Sequence, residues 1–279
     1  MAAPEIGLCF GTVHQAGLIE MIEVAARHGF PTLEVPPDLY FACRDAGTSA
    51  AALRKRLADA GVRVQLIDAI TTGIPGMRTE PVVFKGRTMP RWDAAACLEA
   101  NDALGAPVLN LSHYQGSAVP LAEIADAVGA ASRLAASHGV TLVLEFVPES
   151  GIPDIHAAQA IAAASGEANC KIMLDTWHLS RGGHGAAEVR ALPPGAIGAF
   201  QLSDRIAPAS GTAYVPMTGR SLPGEGELPL GEIVPAALAN SPGITIEVEV
   251  FSEELAAMTA DGAAARAAEA VRAWRNSLS

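Results

Sequence analysis

The chain has 279 residues, half of them apolar, and a formal net charge of −11. That length suits one α/β barrel of about 250 residues or two modest domains. An acidic chain repels phosphate backbones, so no nucleic-acid partner is expected.

The predicted elements alternate along the chain. Ile6 to Phe10 reads as a strand and Gly17 to Arg27 as a helix stopped by His28-Gly29. Thr32 to Val35 is a second strand, closed by Pro36-Pro37, and Ser49 to Ala60 is the next helix. Val62 to Ile67 is a third strand; a long loop follows Asp68, then a helix from Trp92 to Leu104. Pro107 to Leu111 pairs with a helix at Leu121 to His138, and Thr141 to Leu144 with one at Ile155 to Ala164. Lys171 to Leu174 precedes a short helix at Ala186 to Ala191. Ile197 to Leu202 leads into a Gly- and Pro-rich loop from Ala207 to Pro229, then a helix from Leu230 to Ala239. Ile244 to Val250 is the last strand and Ala260 to Ser277 the closing helix. Eight such strand–helix units without a linker predict a single (β/α)8 barrel domain over residues 1–279. A doubly wound open sheet would carry a Gly-rich turn after its first strand, which Gly7 and Gly11 do not form.

No stretch reaches the ~18 unbroken apolar residues of a membrane span. The start, Met-Ala-Ala-Pro-Glu, has neither the basic nor the apolar segment of a signal peptide, so the expected location is cytoplasmic, with no membrane partner. Cys9, Cys43, Cys97 and Cys170 form no CxxC pair and read as reduced thiols.

Four apolar runs in the second half end on a polar residue: Thr-Leu-Val-Leu-Glu145, Lys-Ile-Met-Leu-Asp175, Ile-Gly-Ala-Phe-Gln201 and Ile-Thr-Ile-Glu-Val-Glu249. Runs of this kind are strands buried on both faces, and a carboxylate there needs a metal, a partner or a substrate. In a barrel the active site lies at the C-terminal strand ends, where neighbouring strands are about 5 Å apart. Glu145, Asp175, Gln201 and Glu249 can therefore converge on one divalent ion. Three carboxylates and an amide oxygen suit Mn²⁺ or Mg²⁺ better than zinc. Asp175 has an alternative use as the N-cap of a following helix. Glu247 shares the face of Glu249, one step deeper.

His178, three residues past Asp175, is expected to contact substrate or move a proton. Arg181 could bind a substrate anion or meet its own helix. Arg220, in a loop rich in glycine, could hold a carboxylate or phosphate, or be a solvated turn residue. His14, Asp68 and His113 complete the rim as substrate-contact candidates.

With these residues assembled, the chain resembles the sugar phosphate isomerase/epimerase group of the xylose-isomerase-like TIM-barrel superfamily. The carrying segments are Leu144-Glu145, Leu174-Asp175-Thr-Trp-His178, Gln201-Leu-Ser-Asp204, Pro223-Gly-Glu-Gly226 and Glu249-Val-Phe251. The resemblance implies a divalent ion on Glu145, Asp175, Gln201 and Glu249, with His178 on the substrate. It implies that Glu145 and Glu249 are the acid/base pair, moving a proton next to a metal-bound carbonyl of a sugar, sugar phosphate or related hydroxy-ketone. Many sugar epimerases of the group have His where this chain has Gln201. A Gln there resembles certain 3-dehydroshikimate dehydratases, so a lyase acting on a cyclic keto-acid is the alternative. An endonuclease-IV-like repair enzyme needs a His-rich metal cluster that this chain lacks, and a metal-free binding barrel would not need the ligand set. Such barrels often associate, so a homo-oligomer is possible.

Overall fold

The computed structural model describes residues 4–84, 87–206 and 218–277. Eight parallel strands close into a barrel: β1 (Ile6–Cys9), β2 (Thr32–Val35), β3 (Arg63–Ile70), β4 (Val108–Ser112), β5 (Thr141–Glu145), β6 (Cys170–Asp175), β7 (Ile197–Leu202) and β8 (Ile246–Val248). Each strand neighbours the next in sequence, and β8 pairs with β1 through Ile6 and Ile246. The predicted (β/α)8 barrel is the observed architecture. The main apolar core lies outside the barrel, where residues such as Leu33, Leu144 and Phe200 meet the helices. No helix among the described residues is long and apolar enough to cross a membrane.

The barrel interior explains where the polar residues stand. Leu66, Val108, Val143, Met173 and Ala199 form a separate buried cluster, one residue from each of five strands. Side chains two apart on a strand share a face. Two residues further along come Asp68, Asn110, Glu145, Asp175 and Gln201. The other three strands follow the same step, from Gly7 to Cys9, Thr32 to Glu34 and Glu247 to Glu249. Each strand thus contributes one interior residue to an upper tier that is almost wholly polar. In the lower tier, Thr32 Oγ1 donates to Glu247 Oε1 at 2.8 Å. Only glycine fits at position 7, because an added Cβ would lie 1.8 Å from Glu247 Oε2. Glu247 faces deep into the barrel, as its spacing from Glu249 predicts.

Several elements differ from the sequence reading. Pro36-Pro37 does not merely end β2. Pro37 opens a helix, Pro37–Asp45, because the first turn of a helix needs no donor from that residue. β3 runs on to Ile70, so Asp68 lies within the strand, not after it. The long loop beyond it holds a short antiparallel hairpin, Val82–Phe84 with Arg87–Met89. A one-and-a-half-turn helix, Thr176–Arg181, follows β6 directly. β8 stops at Val248, which places Glu249 just beyond it. Of the predicted Ala207–Pro229 loop, residues 207–217 lie outside the described residues, and Arg220–Ser221 pairs antiparallel with Asp204–Arg205.

Candidate active site

The four strand-end residues come together. Glu145, Asp175, Gln201 and Glu249 are each at most 6% exposed. Asp175 takes up one of its two expected uses, the helix N-cap, and turns its other oxygen to Arg220. Its Oδ1 accepts from the backbone N–H of Trp177 (2.6 Å) and His178 (2.9 Å), capping the helix Thr176–Arg181. Its Oδ2 lies 2.9 Å from Arg220 Nη1. That same nitrogen is 2.6 Å from Glu249 Oε2. The guanidinium also rests on the Trp177 ring, 4.8 Å from its centroid.

The cap fixes His178 one turn into its helix. His178 Nε2 is 3.2 Å from Glu145 Oε1, 3.9 Å from Asp175 Oδ2 and 3.4 Å from Arg220 Nη2. Arg220 is delivered by the Asp204–Arg205 ladder, in register with Arg205. Asp204 anchors the loop that follows by accepting from Gly224 N and Leu228 N.

Two members of the upper tier escape a reading based on strand ends. Asn110 Nδ2 donates to Asp68 Oδ1 at 2.6 Å and to Glu145 Oε2 at 2.9 Å, tying the two acids together. Gln201 Nε2 donates to Glu34 Oε1 at 2.7 Å and to Glu249 Oε1 at 3.1 Å. Glu34 and Asn110 stand inside their strands with apolar residues on both sides, and the period-2 register with Gln201 and Glu145 is the signal that finds them.

The charges are poorly balanced. Arg220 is the one buried Arg or Lys among the described residues, against buried Glu34, Glu145, Asp175 and Glu249. Burial pushes Glu249 well above its ordinary value; Arg220 opposes this, while Asp175, Glu145 and Asp68 reinforce it. Burial also raises Glu34, helped by Asp68 and Glu249. Asp68 is pushed up to about 7 by burial and then by Glu145, with Asn110 opposing. Asp175 goes the other way. Burial would raise it, but Arg220, His178 and the cap together hold it below the ordinary value. Burial would lower Arg220, yet Asp175, Glu249 and Glu145 raise it.

Buried carboxylates in excess call for a cation. The carboxylates around Arg220 and the Gln201 amide offer oxygens, which suit a hard divalent ion, with the His178 nitrogen beside them. Gln201 Oε1 is buried with no hydrogen-bond partner, as an uncommitted ligand atom would be. Donor atoms of Glu145, Asp175 and His178 lie within 4.8 Å of one another. This donor set fits a divalent metal, which Glu145, Asp175, Gln201 and Glu249 could hold.

Above them opens a cavity of about 330 Å³, lined by Asp68, Glu145, His178, Arg181, Arg220 and Glu249, with Phe10, Trp92, Trp177 and Phe251 as apolar walls. Arg181 reaches it from the mouth, stacked 4.9 Å from the Trp177 centroid and 3.0 Å from Glu149 Oε1. His14 and His113 do not line it. His113 is fully buried, and both ring nitrogens are committed. Its Nδ1 accepts from Gly151 N at 3.2 Å, so Nε2–H donates to Pro75 O at 2.9 Å. That histidine joins two loops.

A Streptomyces coelicolor protein named "Putative hydroxypyruvate isomerase" is 27% identical over 241 residues, 78% of this chain and 79% of its own. Three solved structures share the fold. The IolI protein with a bound zinc atom superposes with a TM-score of 0.81, at 18% identity over 99% of both chains. D-psicose 3-epimerase, solved in the presence of D-fructose, gives 0.72 at 18% identity over 98% of this chain and 99% of its own. The probable 3-DHS dehydratase AsbF of Bacillus anthracis gives 0.71 at 14% identity over 96% and 98%. The sequence model of one family spans residues 22–277, and by that match the chain belongs to the xylose isomerase-like TIM-barrel family.

Proposed function

We propose that this protein is a divalent-metal-dependent isomerase or epimerase that moves a proton next to the carbonyl of a small hydroxy-ketone. The observation that carries the reading is the pair Glu145 and Glu249. Both line one cavity, three strands apart around the barrel, so their carboxylates can approach a substrate carbon from two sides. A divalent ion on Glu145, Asp175, Gln201 and Glu249 would polarise the carbonyl and stabilise the negative charge left by deprotonation. Glu145 accepts the proton, with its two oxygens held by Asn110 and His178. Glu249 returns a proton from the far side. Arg220 and His178 face the cavity beside both acids and bind substrate oxygens. The four aromatic walls exclude water from the reacting carbon.

Hydroxypyruvate heads the substrate panel because of the Streptomyces coelicolor relative; ketoses follow. Gln201 favours a second reading, dehydration of a cyclic keto-acid, which begins with the same proton removal. Incubation in D₂O with Mn²⁺ separates the two. Deuterium entering next to the carbonyl, with isomer formation, supports the isomerase. Aromatic or enone absorbance from a cyclic keto-acid supports the dehydratase. Glu145→Gln is expected to lower turnover by about 10²–10⁴-fold with the fold intact. Full activity in that variant would sink the acid/base assignment.

A further inference from the structure

Glu34 is the buried acid of the upper tier that lies inside its strand and that the proposed reaction leaves without a task. It stands in β2, is 0% exposed, and is reached by an amide from three strands away around the barrel. Gln201 Nε2 donates to Glu34 Oε1 and to Glu249 Oε1. A carboxyl group keeps an oxygen that only accepts whether or not it holds a proton, and two acid oxygens at 2.7 and 3.1 Å from one end of the amide select the NH₂ for that end. The carbonyl then turns away, and Gln201 Oε1 is indeed buried without a hydrogen-bond partner. A Gln differs in this from a carboxylate, whose two ends are alike. Turned over, its amide would present N–H groups, which cannot ligate a cation.

We propose that Glu34 is a positioning residue that locks the Gln201 amide with Oε1 presented as a metal ligand. The inference rests on the metal-dependent reading of the site. It also accounts for the other cluster of donors, Cys9, Glu34 and Glu249, which lie within 4.8 Å of one another. The Gln201 NH₂ lies between Glu34 and Glu249 and donates to both. Outer partners of this kind typically change metal affinity by about 10–100-fold.

The test measures Mn²⁺ affinity from the EPR signal of free Mn²⁺, in a double-mutant cycle. Glu34→Gln keeps the shape but can donate as well as accept, so it no longer dictates which end of the amide faces it. Alone, it is expected to weaken Mn²⁺ binding by about 10–100-fold. In a Gln201→Ala background, with no amide left to orient, the same change should alter affinity by less than about twofold. An equal loss in both backgrounds overturns the inference, because Glu34 would then act through its charge. So does unchanged affinity in the folded single variant. Failure of the wild type to bind Mn²⁺ removes the metal reading itself, and the inference with it. If Glu34→Gln does not fold, a crystal structure of the Mn²⁺-loaded wild type decides. Gln201 Oε1 on the ion with Nε2 on Glu34 supports the assignment, and a reversed or unligated amide overturns it.

Discussion

Arg220 carries an unusual load for one side chain. Its Nη1 serves two acids at 2.9 and 2.6 Å, and its guanidinium plane covers Trp177. Before any cation arrives, it is the main counter-charge for the upper tier. Removing one partner of a buried ionic cluster typically costs about 3–5 kcal/mol, because the other charges stay behind. Arg220→Met keeps much of the contact with Trp177 and discards only the charge. In metal-free protein it should lose stability in that range, read as a lower urea midpoint. Saturating Mn²⁺ supplies the missing positive charge, so the variant should gain more from Mn²⁺ than the wild type does. Equal gains would show that Arg220 and the ion do not share the same acids.

At the scale of elements, the strand ends were legible because cost makes them conspicuous. A polar residue closing an apolar run, as in Glu145, Asp175, Gln201 and Glu249, has few explanations in a buried strand. Glu34 and Asn110 carry the same physics but sit inside their strands, where a single polar residue looks like ordinary alternation. Pro36-Pro37 was opaque for another reason: proline ends a strand and also begins a helix, and only packing decides. His113 stood at a strand end with the right chemistry, yet two loops claim both its nitrogens. Arg220 was visible as a residue, but its position depends on a two-residue ladder too short to have a sequence signature.

That ladder makes its own prediction. Gly226 passes close to it, and an added Cβ would lie 2.4 Å from Arg205 O and 2.4 Å from Asp204 Oδ1. One of those atoms is backbone, so the ladder must shift. Gly226→Ala should cost roughly 1–3 kcal/mol, the range for overpacking. It should also lower kcat/KM on any substrate found, by about tenfold for a loss of 1.4 kcal/mol in transition-state binding through Arg220. A thermal melt and steady-state kinetics check both. A variant that loses stability but keeps kcat/KM would show that the loop does not position Arg220.

Over the whole molecule, the two interior tiers make stability depend on pH in a direction that can be worked out. Burial, as the first cause, raises Asp68 and Glu247 to about 7 and Glu34 and Glu249 well above their ordinary range. Raised acids keep protons in the folded chain that the unfolded chain releases near pH 4. As pH climbs from about 4 to about 7, the unfolded state sheds protons first, and stability falls. For Glu247, moved from 4.5 to about 7, the share is roughly 3 kcal/mol. Asp175 opposes the trend, since its depressed value adds stability above the unfolded pKa. It is one group against four, so metal-free protein in EDTA should show a urea midpoint that drops from pH 5 to pH 8. Mn²⁺ should reverse this at the upper end, where its ligands are ionised. At 100 times its Kd it would add about 2.7 kcal/mol. At pH 5 the same ligands hold protons against it, and the gain should shrink. Glu247→Gln separates the tiers. It should remove its own share of the fall in EDTA and leave the response to Mn²⁺ intact, because Glu247 hydrogen-bonds to Thr32 below the residues proposed to hold the ion. A midpoint that rises from pH 5 to pH 8 in EDTA would mean that the upper tier is already balanced without an ion.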